Sequence, residues 1–140
     1  MAGEMGRRSA NQKRILIIED DADVRDLVAR FCTKLGYMPA IMAESRFFDA
    51  GLDIGPVEEI AAVVTDIFMP GKSGIQIIKE IRGLSESVKI IAISGGWSTQ
   101  GSREDALMAA GLLGVDAALA KPFTLEDFKS CLKEAGLPVS

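Results

Sequence analysis

The sequence predicts an α/β fold in which helices cover both faces of a doubly wound parallel sheet. Three observations carry that expectation. Short runs such as "RILII", "IAAVVTD" and "VKIIAIS" are apolar at nearly every position, as strands buried on both faces must be. They alternate with segments whose apolar residues recur at helical spacing. The chain's 140 residues suffice for one domain with its own core. Alternating β and α units build a parallel sheet, and right-handed crossovers leave only a few topologies open.

The elements follow in order. Residues 1–13 are polar, basic and aperiodic and are expected to form a flexible tail, leaving 14–138 for the domain. "RILII" is the first strand. Val24, Leu27, Val28, Phe31 and Leu35 keep helical spacing, and Gly36 supplies the stop. "YMPAIMA" reads as a weaker strand, placed at a sheet edge by Pro39. Residues 44–54 suit a short helix closed by Gly55-Pro56. "IAAVVTD" is the third strand, and Ile75, Ile78 and Ile81 share a face of the helix after it. "VKIIAIS" is the fourth strand. Ser102 to Asp105 resembles a capping box that opens a helix rich in Ala and Leu. "VDAALA" is a short last strand. Thr124 to Asp127 repeats the cap signature, and Leu125, Phe128, Leu132 and Ala135 line the final helix. The sum is five β-α units with no internal repeat, and no second domain is expected within these residues.

Composition narrows the function. The chain is 48% hydrophobic and 26% charged, which is globular rather than disordered. A net charge of -4 argues against a dedicated nucleic-acid surface. The apolar runs are too short to span a membrane, and the N-terminus lacks the apolar stretch of a signal peptide. A cytoplasmic protein is expected. Cys32 and Cys131 sit inside apolar helical patterns and read as buried, reduced thiols. The sequence has no histidine, so histidine general-base catalysis and histidine metal ligands are excluded.

In open α/β sheets ligands bind beyond the carboxyl ends of the strands. The first strand ends in Glu19-Asp20-Asp21, the third in Asp66, the fourth in Ser94-Gly95-Gly96 and the fifth in Lys121-Pro122. An acid at one strand end is usually a turn or cap residue. Acids, a hydroxyl and an amine arriving together on four strands of one small domain are much harder to assign to chance. Crowded carboxylates raise one another's pKa values unless a cation joins them. Oxygen ligands without Cys or His suit a hard divalent ion, Mg²⁺ or Mn²⁺. A carboxylate can also be the nucleophile that accepts a phosphoryl group. That transfer chiefly needs its equatorial oxygens neutralised.

On these residues the chain resembles the receiver domain of two-component response regulators. "RILIIEDD", "VVTDIFMPGKSG", "IIAIS" and "AKPF" match its motifs in order, and the likeness runs from about Arg14 to Gly136. The resemblance implies a flavodoxin-like three-layer fold with strand order 2-1-3-4-5 and a receiver domain over residues 14–138. The chain is expected to be a stand-alone module, or else a domain excised from a longer protein, and not an enzyme beyond its own phosphorylation and dephosphorylation. Asp66 would be the phosphoacceptor, served by a histidine kinase or a histidine phosphotransfer protein. Asp20 and Asp66 would bind Mg²⁺, with Glu19 acting through a water and the Phe68 backbone carbonyl completing the set. Ser94 would be the switch hydroxyl and Lys121 the phosphate-contacting amine, preceding a cis bond to Pro122. The fourth helix, fifth strand and fifth helix would face a downstream target protein, and the first helix the phosphate donor. No membrane or nucleic-acid partner is implied.

The sequence departs from the family pattern in places. Ala118 stands where the family usually has an aromatic residue, so the usual coupling of Ser94 to a rotating ring has no side chain to act on. "GGWSTQGS" makes the following loop long, and Trp97 is an alternative moving group or simply a packing residue. Phe68 is placed to shield an acyl phosphate or to turn away. Two other classes compete. An aspartate-nucleophile phosphatase needs a second acid two residues after the nucleophile, where Phe68 stands. A flavin or nucleotide carrier would want a glycine-rich phosphate loop, and neither G-x-G-x-x-G nor a complete phosphate-loop spacing is present. A degenerate receiver that binds partners without phosphorylation is the remaining alternative.

Overall fold

Five parallel strands form one sheet in the order β2-β1-β3-β4-β5, in a computed structural model that describes residues 13–42, 56–66, 74–94 and 114–139. The strands are β1 (Arg14–Ile18), β2 (Met38–Ile41), β3 (Ile60–Asp66), β4 (Lys89–Ser94) and β5 (Ala117–Ala120). The described α-helices are α1 (Ala22–Lys34), α2 (Gly74–Leu84) and α3 (Leu125–Glu134), and a 3₁₀ turn at Val57–Glu59 precedes β3. The expected helices at 44–54 and after Ser102 lie outside the described residues, as do residues 1–12.

The strand order, 2-1-3-4-5, is the one the resemblance implies. β3 is central, hydrogen-bonded to β1 and β4, and six of its seven residues are buried. β2 lies at one edge, where Pro39 removes an amide that an inner strand would need. The register of β1 against β3 slips once, from Arg14↔Ile60 to Ile15↔Ala62, so Ala61 is an extra residue in β3.

Alternation along the strands divides the core in two. On one face Ile15, Ile17, Val64 and Ile93 pack with Val28 and Cys32 of α1 and Phe128 and Leu132 of α3. On the other, Leu16, Ile18, Val63 and Ile90 pack with Ile77, Ile78 and Ile81 of α2. Phe31, Phe123 and Phe128 meet at centroid separations of 5.9–6.5 Å and close the first core where α1 meets α3. Cys32 and Cys131 are buried free thiols, as expected. Burial pushes the first up to about 12 and, with nearby Glu134 and Asp127, the second up to about 11.

The helix ends follow their caps. Thr124 accepts from the Asp127 amide, and the Asp127 carboxylate accepts from the Thr124 amide, the reciprocal box foreseen from sequence. After α1, Gly36 takes φ 94°, a conformation costly to side chains with a β-carbon. At the amino end of the sheet Arg82 anchors α2. It donates to the Val88 carbonyl at 2.6 Å and the Gly114 carbonyl at 2.8 Å, and pairs with Asp116 Oδ2 at 2.9 Å. The same oxygen accepts from the Ile90 amide at 2.8 Å. Arg82→Met is expected to lower stability by about 1.5 kcal/mol, because the two carbonyls and the carboxylate lose a charged donor. Urea denaturation of the two proteins reads the difference.

Candidate functional site

The carboxyl edge of the sheet gathers residues from three strand ends, those of β1, β3 and β5, with β4 between the last two. β1 stops at Ile18 and delivers Glu19 and Asp20. β3 ends on Asp66 itself. β5 stops at Ala120 and delivers Lys121, whose bond to Pro122 is cis. Glu19 and Asp66 are 2% and 3% exposed. Parallel strands of one sheet ending at the same edge set these side chains together, since residues 46 or more apart in sequence have no local reason to meet.

Lys121 bridges two acids. Its Nζ lies 2.8 Å from Asp66 Oδ2 and 3.0 Å from Glu19 Oε1. Burial pulls the Lys121 ammonium down, but the hydrogen bond and charge of Asp66, with those of Glu19, outweigh it and leave the group above its ordinary value. Glu19 has the opposite problem. Burial and then the Asp66 charge push its carboxyl up to about 7, against the pull of the Asp21 amide and Lys121. Glu19 Oε2 accepts from the Asp21 amide at 3.1 Å. Apart from the Lys121 ion pair, Glu19 Oε1 is a buried oxygen with no hydrogen-bond partner. Such an oxygen is costly to bury unless something further satisfies it.

Those observations bear on a cation. One carboxylate oxygen from each of Glu19, Asp20 and Asp66 lies within 4.8 Å of the others. Three acids and one ammonium leave the edge net negative. The donors are all hard oxygens, as Mg²⁺ prefers. The residues present therefore fit a divalent ion.

Other sequence-predicted residues fall as follows. Ser94 ends β4, and its backbone pairs with Ala120, one residue before Lys121. Phe68 and Trp97 lie outside the described residues. Asp21, grouped with the strand-end acids by sequence alone, instead caps α1. Its Oδ1 accepts from the amides of Asp23 at 2.9 Å and Val24 at 3.3 Å. Ala118 is half-buried on β5 beside a cavity of about 380 Å³ that Lys121 and Cys131 also border. Two residues that sequence reading passed over support the edge. The buried Thr65 hydroxyl donates to the Asp66 carbonyl at 3.1 Å, and Arg25 reaches the Glu19 carbonyl at 3.4 Å. Neither carries a motif that would have marked it.

Comparison with known proteins bears on the family and the fold. The family model for the response regulator receiver domain matches residues 15–133. The transcriptional regulatory protein MalR of Bacillus subtilis (strain 168) is 32% identical over 121 residues, which are 86% of this chain and 48% of MalR. The chain thus spans about half the length of that relative. Sporulation initiation phosphotransferase F of the same organism is 27% identical over 122 residues, 87% of this chain and 92% of the relative. Among solved structures, a response regulator receiver domain protein from Clostridium thermocellum superposes with a TM-score of 0.72. It is 24% identical, over 88% of this chain and 93% of that one, a likeness of fold. No described helix is long and apolar enough to cross a membrane.

Proposed function

The chain belongs to the response regulator receiver family of two-component signalling, and on that premise we propose that it accepts a phosphoryl group on Asp66 and signals through altered partner binding or onward relay. The observation that carries the reading is the Asp66 carboxylate at the end of the central strand, bridged by Lys121 to a second buried acid.

A carboxylate oxygen of Asp66 attacks the phosphorus of a phosphohistidine on another protein. The oxygen–phosphorus bond forms, the phosphorus–nitrogen bond breaks, and the departing imidazole keeps the electron pair. Residues 1–140 contain no histidine, so the phosphohistidine lies outside them. Lys121 holds Asp66 at the strand edge and is within reach of a phosphoryl oxygen there. Ser94, at the next strand end, is assigned the hydroxyl that contacts another. Glu19, Asp20, Asp66 and the Phe68 carbonyl are assigned to hold Mg²⁺, which when bound neutralises developing charge on the phosphoryl oxygens.

A histidine kinase or histidine phosphotransfer protein is the proposed donor. The match to nearly the whole length of a protein named a phosphotransferase supports the relay arm, and the match to half of a transcriptional regulator supports control of a downstream target. We assign the module to the cytoplasm, where kinase donors act, over residues 14–138.

Acetyl phosphate with Mg²⁺ is expected to add one phosphate to the intact mass, and the adduct is expected to vanish when Mg²⁺ is chelated. A protein that takes up neither phosphate nor beryllofluoride would instead be the degenerate, phosphorylation-independent binding module.

A further inference from the structure

The amino end of the sheet, opposite the carboxylates, holds a cavity of about 750 Å³. Ile60 and Asp66 open and close β3, so six residue steps, about 20 Å, separate the two ends. Leu35, Ile60, Val88, Leu137 and Val139 supply apolar walls. The wall from the C-terminal segment is fastened in place. The Tyr37 hydroxyl donates to the Pro138 carbonyl at 2.5 Å, and the Leu137 amide donates to the Leu132 carbonyl at 2.8 Å. The extra residue in β3, Ala61, also lines this cavity. Irregularities of this kind commonly re-aim a side chain or end a pairing beside a binding site.

The polar groups are few and mainly of one sign. Lys13 and Lys89 both border the cavity, with Glu58 as its only acid among the described residues. Among the described residues the one ion-pair partner of Lys89 is distant, Asp116 Oδ1 at 4.0 Å, and the other oxygen of that carboxylate already serves Arg82 and the Ile90 amide. The cavity therefore presents a largely apolar interior with surplus positive charge. Ligand sites are typically concavities of 300–1,000 Å³ with apolar walls and a small number of placed polar groups.

We propose that this cavity binds a small amphiphilic carboxylate, with its apolar body among Leu35, Ile60, Val88 and Leu137 and its anionic head at Lys13 and Lys89. The site lies at the opposite end of β3 from the phosphoacceptor, so it would give the domain a second, chemically distinct input.

Three ten-carbon probes separate the head from the body: decanoate, decanol and decylammonium, each titrated into the ¹⁵N-labelled full chain. Decanoate is expected to saturate one site and to shift the amides of Tyr37, Ile60, Ser87 and Val139 rather than those around Asp66 and Lys121. Decanol is expected to bind at least tenfold more weakly, and decylammonium more weakly still. Lys13→Gln with Lys89→Gln is expected to bring decanoate down to the level of decanol. Ala61→Phe is expected to abolish binding by filling the space. If that variant does not fold, the lysine variant and the map of shifted amides decide. No saturable binding of decanoate, equal binding of decanol, or shifts centred on the carboxyl edge would each overturn the proposal.

Discussion

Asp66→Asn is expected to eliminate the acetyl phosphate adduct, a loss of at least 100-fold in phosphorylated protein, while leaving the domain folded. Asparagine keeps the shape of the side chain but removes the anionic oxygen that must attack phosphorus. The fold has reason to survive. Asp66 lies 2.8 Å from Lys121, but Lys121 retains Glu19 at 3.0 Å. The substitution also takes a negative charge away from Glu19, one of the two influences that raise its carboxyl. Intact mass after acetyl phosphate treatment measures the chemistry, and circular dichroism through a thermal ramp measures the fold. An adduct of undiminished yield on the variant would move the acceptor to another residue.

The second large effect is a pH dependence. In metal-free buffer the protein is expected to lose about 2 kcal/mol of stability between pH 5 and pH 8. The sign follows from Glu19. Its carboxyl stands near 7 in the folded protein against an ordinary value of 4.5, so the folded state holds the proton more tightly than the unfolded chain. Stability is highest where Glu19 is protonated when folded, and falls as pH rises through that window. Lys121 adds no slope there. Its ammonium is raised above an ordinary value of 10.5, so its contribution is fully present at every pH below that. The buried thiols, raised from 9.0, begin to cost stability only above about pH 9. Glu19→Gln should therefore match the parent protein near pH 5 and exceed it by about 2 kcal/mol at pH 8. Urea titrations at both pH values, with chelator present, give the four numbers needed. Parallel curves for the two proteins would remove Glu19 as the source.

How much of this was legible beforehand varied with the physics of each element. The strands could be read because a centre strand such as "IAAVVTD" has no solvent face, and its composition says so. Gly36 and the Thr124–Asp127 box were equally plain, since each satisfies a backbone demand within four residues. The meeting of Glu19, Asp20, Asp66 and Lys121 could be anticipated only at the level of strand ends, because parallel strands bring their termini to one edge whatever the loops do. The sequence alone could not separate Asp21 from its neighbours. Three consecutive acids look alike as letters, and only the turn of the chain into α1 assigns the third to capping. The Arg82–Asp116 anchor was invisible for another reason. The two residues are 34 positions apart, and an arginine at a helix end ordinarily reads as a solvated charge. The register slip at Ala61 was likewise unreadable, because an extra alanine in an apolar run alters no pattern.

The alternation of Ile15 and Ile17 with Leu16 and Ile18 has a consequence for how this domain can vary. Each face of the sheet must conserve its own side-chain volume, because the strand backbones stand between the two sets. A methylene removed from Ile78 cannot be made good by a larger residue near Leu132. Substitutions on opposite faces should therefore sum to within about 0.5 kcal/mol, whereas neighbours on one face should not. Drift in sequence is free to rework the α2 side while the α1 and α3 side stays as it is.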